Sequence, residues 1–174
     1  MGSRLFNEVR EKRGLAYTIG TGLQGLDRAG YFFIFGSTTP GNLREVLNVC
    51  RGELEDVAAN GPTPGEVDTA RCQVERNYLL ALESNGFLAA RNAEREFYGE
   101  PRLNTTQVIT ALRRVTPRDI QRAATTLYTD KAPVLSLVGP LKHVSKLDSI
   151  INFSSNKIGI DIVRRGTPQI TARR

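Results

Sequence analysis

Ser3-Arg4-Leu5-Phe6-Asn7-Glu8-Val9-Arg10-Glu11-Lys12-Arg13-Gly14-Leu15-Ala16-Tyr17 reads as a helix that hands over to a strand. Leu5, Phe6 and Val9 stand at i, i+1 and i+4, which makes one apolar helix stripe, and Ser3 is placed to cap its N-terminus. Gly14 ends the helix, and residues 15–23 continue as an extended segment with Tyr17 near its start. A second extended segment, residues 31–37, follows through Gly25-Leu26-Asp27-Arg28-Ala29-Gly30, a polar, glycine-bounded connection that suits a β-hairpin. Within it Tyr31-Phe32-Phe33-Ile34-Phe35 loses alternation, which predicts a strand covered on both faces or central in a sheet.

Beyond the hairpin the chain announces helices with a repeated device. Thr39-Pro40, Thr63-Pro64 and Thr116-Pro117 each set a capping hydroxyl before a proline whose fixed φ suits the first helical position. Glu66 and Asp119 complete capping boxes with the second and third of these threonines. The first helix carries Leu43, Val46, Leu47, Cys50, Leu54, Val57 and Ala58 as its inward stripe and stops at Gly61. The second carries Val67, Ala70, Val74, Tyr78, Ala81 and Leu82, with Cys72 also turned inward, and runs to about residue 83. Further helices are expected over residues 87–97, 106–114 and 117–127. Val134-Leu135-Ser136-Leu137-Val138 is a compact strand ended by Gly139-Pro140, and residues 157–163 alternate as an extra strand ahead of a loose basic tail. Strands, then helices, then a returning strand give an α+β fold: an antiparallel or mixed sheet with helices packed mainly on one face.

The residues that could carry chemistry are few. Arg10 can donate hydrogen bonds to a peptide carbonyl or a developing oxyanion, and Tyr17 can donate its phenolic proton to the same atom. Neither activates water by itself. Taken alone, Arg10 also reads as a solvated helix arginine bonded to Glu11, and Tyr17 as a strand aromatic in the core. A catalytic zinc site needs about three protein ligands, whereas this chain has a single histidine, His143, with no second His or Glu at helical spacing. Cys50 and Cys72 match no metal-ligand spacing and read as two small buried thiols. Glu8, Glu11 and Lys12 read as a solvated face, and Gly20-Thr21-Gly22 lacks the lysine and helix start of a phosphate loop.

Composition narrows the function classes. The net charge is +6 over 174 residues. Much of that excess sits in residues 157–174, where Lys157, Arg164, Arg165, Arg173 and Arg174 face Asp161 alone. A basic tail of this kind aids solubility or nonspecific contact, and no aromatic interleaving marks a nucleic-acid surface, so no nucleic-acid partner is expected. No apolar run approaches the ~18 residues that span a bilayer, so no membrane partner is expected either. Met1-Gly2-Ser3-Arg4 has no signal-peptide core, which sets a cytoplasmic location, or the mitochondrial matrix in a eukaryote, as the default.

The fifteen residues 3–17 resemble the signature that opens the second half of the M16 zinc peptidases, the family of pitrilysin, insulinase and the mitochondrial processing peptidase. Thr116-Pro117-Arg118-Asp119-Ile120 and residues 134–140 resemble that family's last helix and strand. The similarity covers residues 3–140, a C-terminal-type, non-zinc domain, and leaves 141–174 as an extension. The resemblance implies that zinc is bound elsewhere, through His-x-x-Glu-His in a homologous partner, while Arg10 and Tyr17 match the arginine and tyrosine that close over the peptide. It implies no cofactor in this chain, zinc in a partner subunit or domain, an unfolded peptide as substrate, and no activity alone. It also implies a strand and a helical region ahead of Ser3, so that the domain is truncated at its N-terminal side. A sheet edge left open in that way invites pairing with residues 158–163 or with a second copy as a homo-oligomer. The alternative carried by the same resemblance is a proteolytically inert scaffold subunit.

Overall fold

A computed structural model describes residues 2–25, 29–129, 133–140 and 160–162. The chain opens with a short helix, Phe6–Glu11, followed by strands β1 (Ala16–Gly25) and β2 (Gly30–Thr38). Five helices come next: α1 (Leu43–Asn60), α2 (Pro64–Ala81), α3 (Asn85–Tyr98), α4 (Thr105–Arg113) and α5 (Pro117–Thr129). Strands β3 (Leu135–Leu137) and β4 (Ile160–Ile162) close the order. His143 and residues 163–174 lie outside the described residues, as does the centre of the hairpin connection.

β1 and β2 pair antiparallel from Ala16↔Thr38 to Gly25↔Gly30, so the hairpin expected from the glycine-bounded connection is present. Its inner face carries Ala16, Ile19 and Ile34 against Val46, Val49 and Cys50 of α1 and against Leu5 and Val9 of the opening helix. Val9 is fully buried at the centre of this cluster. α5 packs along α1, and Tyr128 meets Phe32 edge-on with ring centroids 6.2 Å apart, so helices cover one face of the hairpin. The α+β class with one-sided helix packing is therefore what the chain adopts. β3 pairs with β4 in parallel, Leu135↔Ile160 to Leu137↔Ile162, and the described residues place these strands in a second sheet separate from the hairpin.

Two of the three threonine-proline starts behave as the sequence suggests. Thr63 accepts from the Glu66 amide while the Glu66 carboxylate accepts from the Thr63 amide at 2.7 Å, and Thr116 and Asp119 repeat the exchange. The first start does not. Residues 39–42 form a turn, and α1 begins at Leu43 after Asn42, whose side chain makes no cap. Asn42 has helical backbone angles, not the extended ones a capping residue adopts, and its side-chain amide donates to the Leu15 carbonyl.

Two expectations about burial fail as well. The strand at residues 31–35 is not covered on both faces: Phe32 and Ile34 turn inward, while Tyr31, Phe33 and Phe35 face solvent, because the helices lie on one side only. On α2 only Val67 is fully buried, whereas Val74 and Cys72 are exposed. This helix is anchored at its start by Val67 and further along by polar contacts, Arg71 to the Val115 carbonyl and Glu75 to Arg113, which leave its apolar side chains in contact with water.

Candidate functional site

The opening helix is wider than an α-helix. The Lys12 amide donates to the Asn7 carbonyl, five residues back, at 2.9 Å. This is the i→i+5 pattern of a π-helix, a rare form that is frequent at functional sites. The end is closed by the Gly14 amide on the Arg10 carbonyl and the Leu15 amide on the Val9 carbonyl, with Gly14 in the left-handed region at φ 61°. A side chain with Cβ resists that conformation. Thr38 Oγ1 then donates to the Leu15 carbonyl at 2.6 Å, and together with Asn42 it latches the helix-strand junction to the far end of the hairpin.

Tyr17 owes its direction to a break in the ladder. Ala16 pairs with Thr38 and Thr18 with Ser37, so Tyr17 is the extra residue of a β-bulge. A bulge re-aims a side chain that strict alternation would send elsewhere. Here it lets Ala16 and Ile19 both point into the core while Tyr17 and Thr18 both face out. Tyr17 is 81% exposed, which removes the reading of it as a core aromatic.

The Arg10 guanidinium lies between two rings, with Cζ 4.9 Å from the Phe6 centroid and 5.0 Å from the Tyr17 centroid. Both distances fall within the ~6 Å of a cation–π contact. Glu11 is the ionic neighbour among the described residues, at 3.8 Å from Nε, beyond a hydrogen bond. The sequence pair is thus brought together on an open surface, with guanidinium N–H groups and a phenol presented side by side. Phe6 is a site residue that the sequence reading did not single out. Its i,i+4 spacing from Arg10 on one helix face was the available signal.

Behind this surface the opening helix is held by Arg4. Its guanidinium bonds both Glu66 oxygens, at 2.6 and 2.9 Å, and Asp56, tying the helix to the end of α1 and the start of α2. Arg4 holds the Glu66 carboxyl down to about 2, and the Thr63 cap adds to the effect. Glu8 pairs with Lys12 at 2.5 Å and with Arg13, a solvated arrangement and not a proton-transfer site.

The described residues gather no group that fits a catalytic zinc. Among the described residues no three His, Cys, Asp or Glu side chains come together as a metal-holding group. Cys50 is in the core, where burial pushes its thiol up to about 11, and Cys72 is exposed on another helix.

The family of peptidase M16 inactive domains matches residues 1–74, the segment that contains the opening helix, the hairpin and α1. The first 74 residues thus carry the likeness to peptidase M16 inactive domains. An uncharacterized zinc protease of Streptomyces coelicolor is 36% identical over 142 residues, 82% of this chain and 31% of that protein. An uncharacterized zinc protease of Bacillus subtilis is 27% identical over 80% of this chain and 34% of its own length. The crystal structure of a peptidase M16 inactive domain from Pseudomonas fluorescens superposes with a TM-score of 0.60 at 28% identity, covering 72% of this chain and 30% of that one. The chain spans about one-third of the length of the curated relatives it matches. Among its described residues no helix is long and apolar enough to cross a membrane.

Proposed function

We propose that this chain is the non-metal-binding half of an M16-type zinc peptidase, with residues 3–140 as the domain and 141–174 as an extension. In this role Arg10 and Tyr17 bind the substrate's peptide carbonyl and stabilise the oxyanion formed from it. The observation that carries the reading is the exposed, paired presentation of the Arg10 guanidinium and the Tyr17 phenol, held by a π-helix and a bulge. Hydrogen-bond donors of this kind act where charge develops on the oxyanion, and removal of one typically costs about 10²- to 10³-fold in rate. Water activation then falls to a zinc-bearing partner subunit or domain, since the described side chains gather no such centre.

The test is reconstitution. Mixing the chain with a zinc-bearing M16 subunit is expected to yield hydrolysis of an unfolded peptide that neither shows alone. Arg10→Ala and Tyr17→Phe are each expected to lower kcat/KM of the mixture by about 10²-fold without dissociating it. Full activity in both variants would sink the assigned role. Stable assembly with a large complex and no activity with any zinc-bearing subunit would mark the chain as an inert scaffold.

A further inference from the structure

The outward face of the hairpin carries a single file of rings. Tyr31, Phe33 and Phe35 are 54%, 38% and 49% exposed, and neighbouring centroids lie 5.6 and 6.0 Å apart. Opposite them on β1 stand Gln24, Gly22 and Gly20. The two glycines make room for the rings as they lie: a Cβ added at Gly20 would come 2.8 Å from Phe35, and one at Gly22 would overlap Phe33, so either would push a ring aside. The rings therefore lie across the backbone of the facing strand, tilted by 43° and 39° from one to the next, and form a continuous apolar platform. No charged residue stands on this face between Thr18 and Gln24 or between Tyr31 and Ser37.

The platform is continuous with the candidate site. The bulge turns Tyr17 out beside Thr18, and the rows Gly20–Phe35, Gly22–Phe33 and Gln24–Tyr31 follow along the same face, ending roughly 20 Å away at the usual rise per strand residue. Its area also limits what it can hold. Three half-exposed aromatic side chains offer on the order of 300 Å², well short of the roughly 800 Å² per partner of a stable protein interface. A narrow, uncharged, ring-lined strip suits one extended chain.

We propose that the outward face of the β1–β2 hairpin is an apolar track for the same unfolded peptide that Arg10 and Tyr17 hold. It selects aliphatic or aromatic side chains at alternate positions, about two to seven residues beyond the held carbonyl. Alternate side chains of an extended peptide fall on one side, so they meet successive rings while the peptide backbone stays solvated. The track rests on the reading of Arg10 and Tyr17 given above, and it names the substrate class for that site.

The test uses the full chain and two fluorescein-labelled unfolded peptides, one with leucine and phenylalanine at alternate positions and one with serine in their place. Anisotropy is expected to show the apolar peptide bound at least about tenfold more tightly. Phe33→Thr with Phe35→Thr should erase that preference and leave the serine peptide unchanged, whereas Arg10→Ala should weaken both peptides alike. A preference that survives the double substitution, or wild-type protein that binds neither peptide or both equally, overturns the track. If only Arg10→Ala weakens binding, the track fails and the Arg10–Tyr17 reading stands. If only the double substitution matters, the track stands and that reading fails. Should the double variant not fold, photocrosslinking a benzophenone form of the apolar peptide to unaltered protein decides the matter. Adducts at positions 31, 33 and 35 support the track, and adducts confined elsewhere overturn it. A dimer that the double substitution disperses and the peptide does not would assign the face to a second copy instead.

Discussion

Gly14 sits between Arg10 and Tyr17 at φ 61°, with open space where a Cβ would stand. Substitution there meets no steric neighbour, so its whole cost is backbone conformation. Gly14→Ala is expected to lower stability by about 1 kcal/mol, and Gly14→Asn by less, since asparagine tolerates the left-handed region. Equal melting temperatures for wild type and Gly14→Ala would mean that the junction relaxes. Phe6 works differently, as one wall of the Arg10 slot. Phe6→Leu keeps apolar contact but removes the ring face, worth about 0.5–1 kcal/mol at an exposed site. Its expected signature is loss of ring-current shift and of order at the Arg10 side chain by NMR, with Phe6→Tyr restoring both; an Arg10 side chain unchanged in Phe6→Leu would show that Tyr17 alone positions it.

At the scale of elements, the opening helix stays in place because Arg4 joins it to two other helices. Glu66 has a double duty, capping α2 through Thr63 and receiving Arg4. Its carboxyl is held at about 2, below the ordinary 4.5. A depressed carboxylate contributes stability that is fully present above about pH 4.5 and is lost as pH falls toward 2, because the unfolded chain takes up the proton first. The pair is partly exposed, so solvent limits its worth to about 1 kcal/mol. Glu66→Gln is therefore expected to lower the melting temperature by about 3 °C at pH 7 and to flatten the decline between pH 4.5 and 2; an unchanged slope would show that other carboxylates dominate.

The same elements show what a linear sequence reveals. The capping boxes at Thr63 and Thr116, the stop at Gly14 and the hairpin were legible because each is local, set by residues within a few positions. Thr39-Pro40 opens a turn and not α1, which begins at Leu43; the contact there from Asn42 to the Leu15 carbonyl, 27 residues away, leaves no local pattern. The Arg4 bridge to Glu66 spans 62 residues and leaves no periodic trace. At the candidate site, family resemblance singled out Arg10 and Tyr17, and the Arg10 charge and the Tyr17 ring lie together on the surface. The bulge that aims Tyr17 was not legible, since it depends on the pairing register with β2.

At the scale of the whole molecule, burial is lopsided. The hairpin, the opening helix, α1 and α5 share the core, whereas α3 and α4 have no buried residue and α2 has Val67 alone. The two cysteines sample these two regions. Cys50 is 8% exposed in the core cluster and, with its thiol pushed to about 11, is about 10⁻⁴ thiolate at pH 7. Cys72 lies exposed on α2, beside Glu75, Arg76 and Arg113. Since the thiolate is the reacting species, an aromatic disulfide reagent at pH 7 should modify one thiol per chain rapidly and the second only through opening of the core. Cys72→Ser should remove the fast phase, and Cys50→Ser the slow one. The slow rate then reads how often the hairpin parts from α1, so Gly14→Ala, which strains the helix-strand junction and lowers global stability by about 1 kcal/mol, should raise it about fivefold if opening is global. Two fast thiols in wild type would mean that α1 does not seal the hairpin, and the surface that presents Arg10 and Tyr17 would lose its rigid backing.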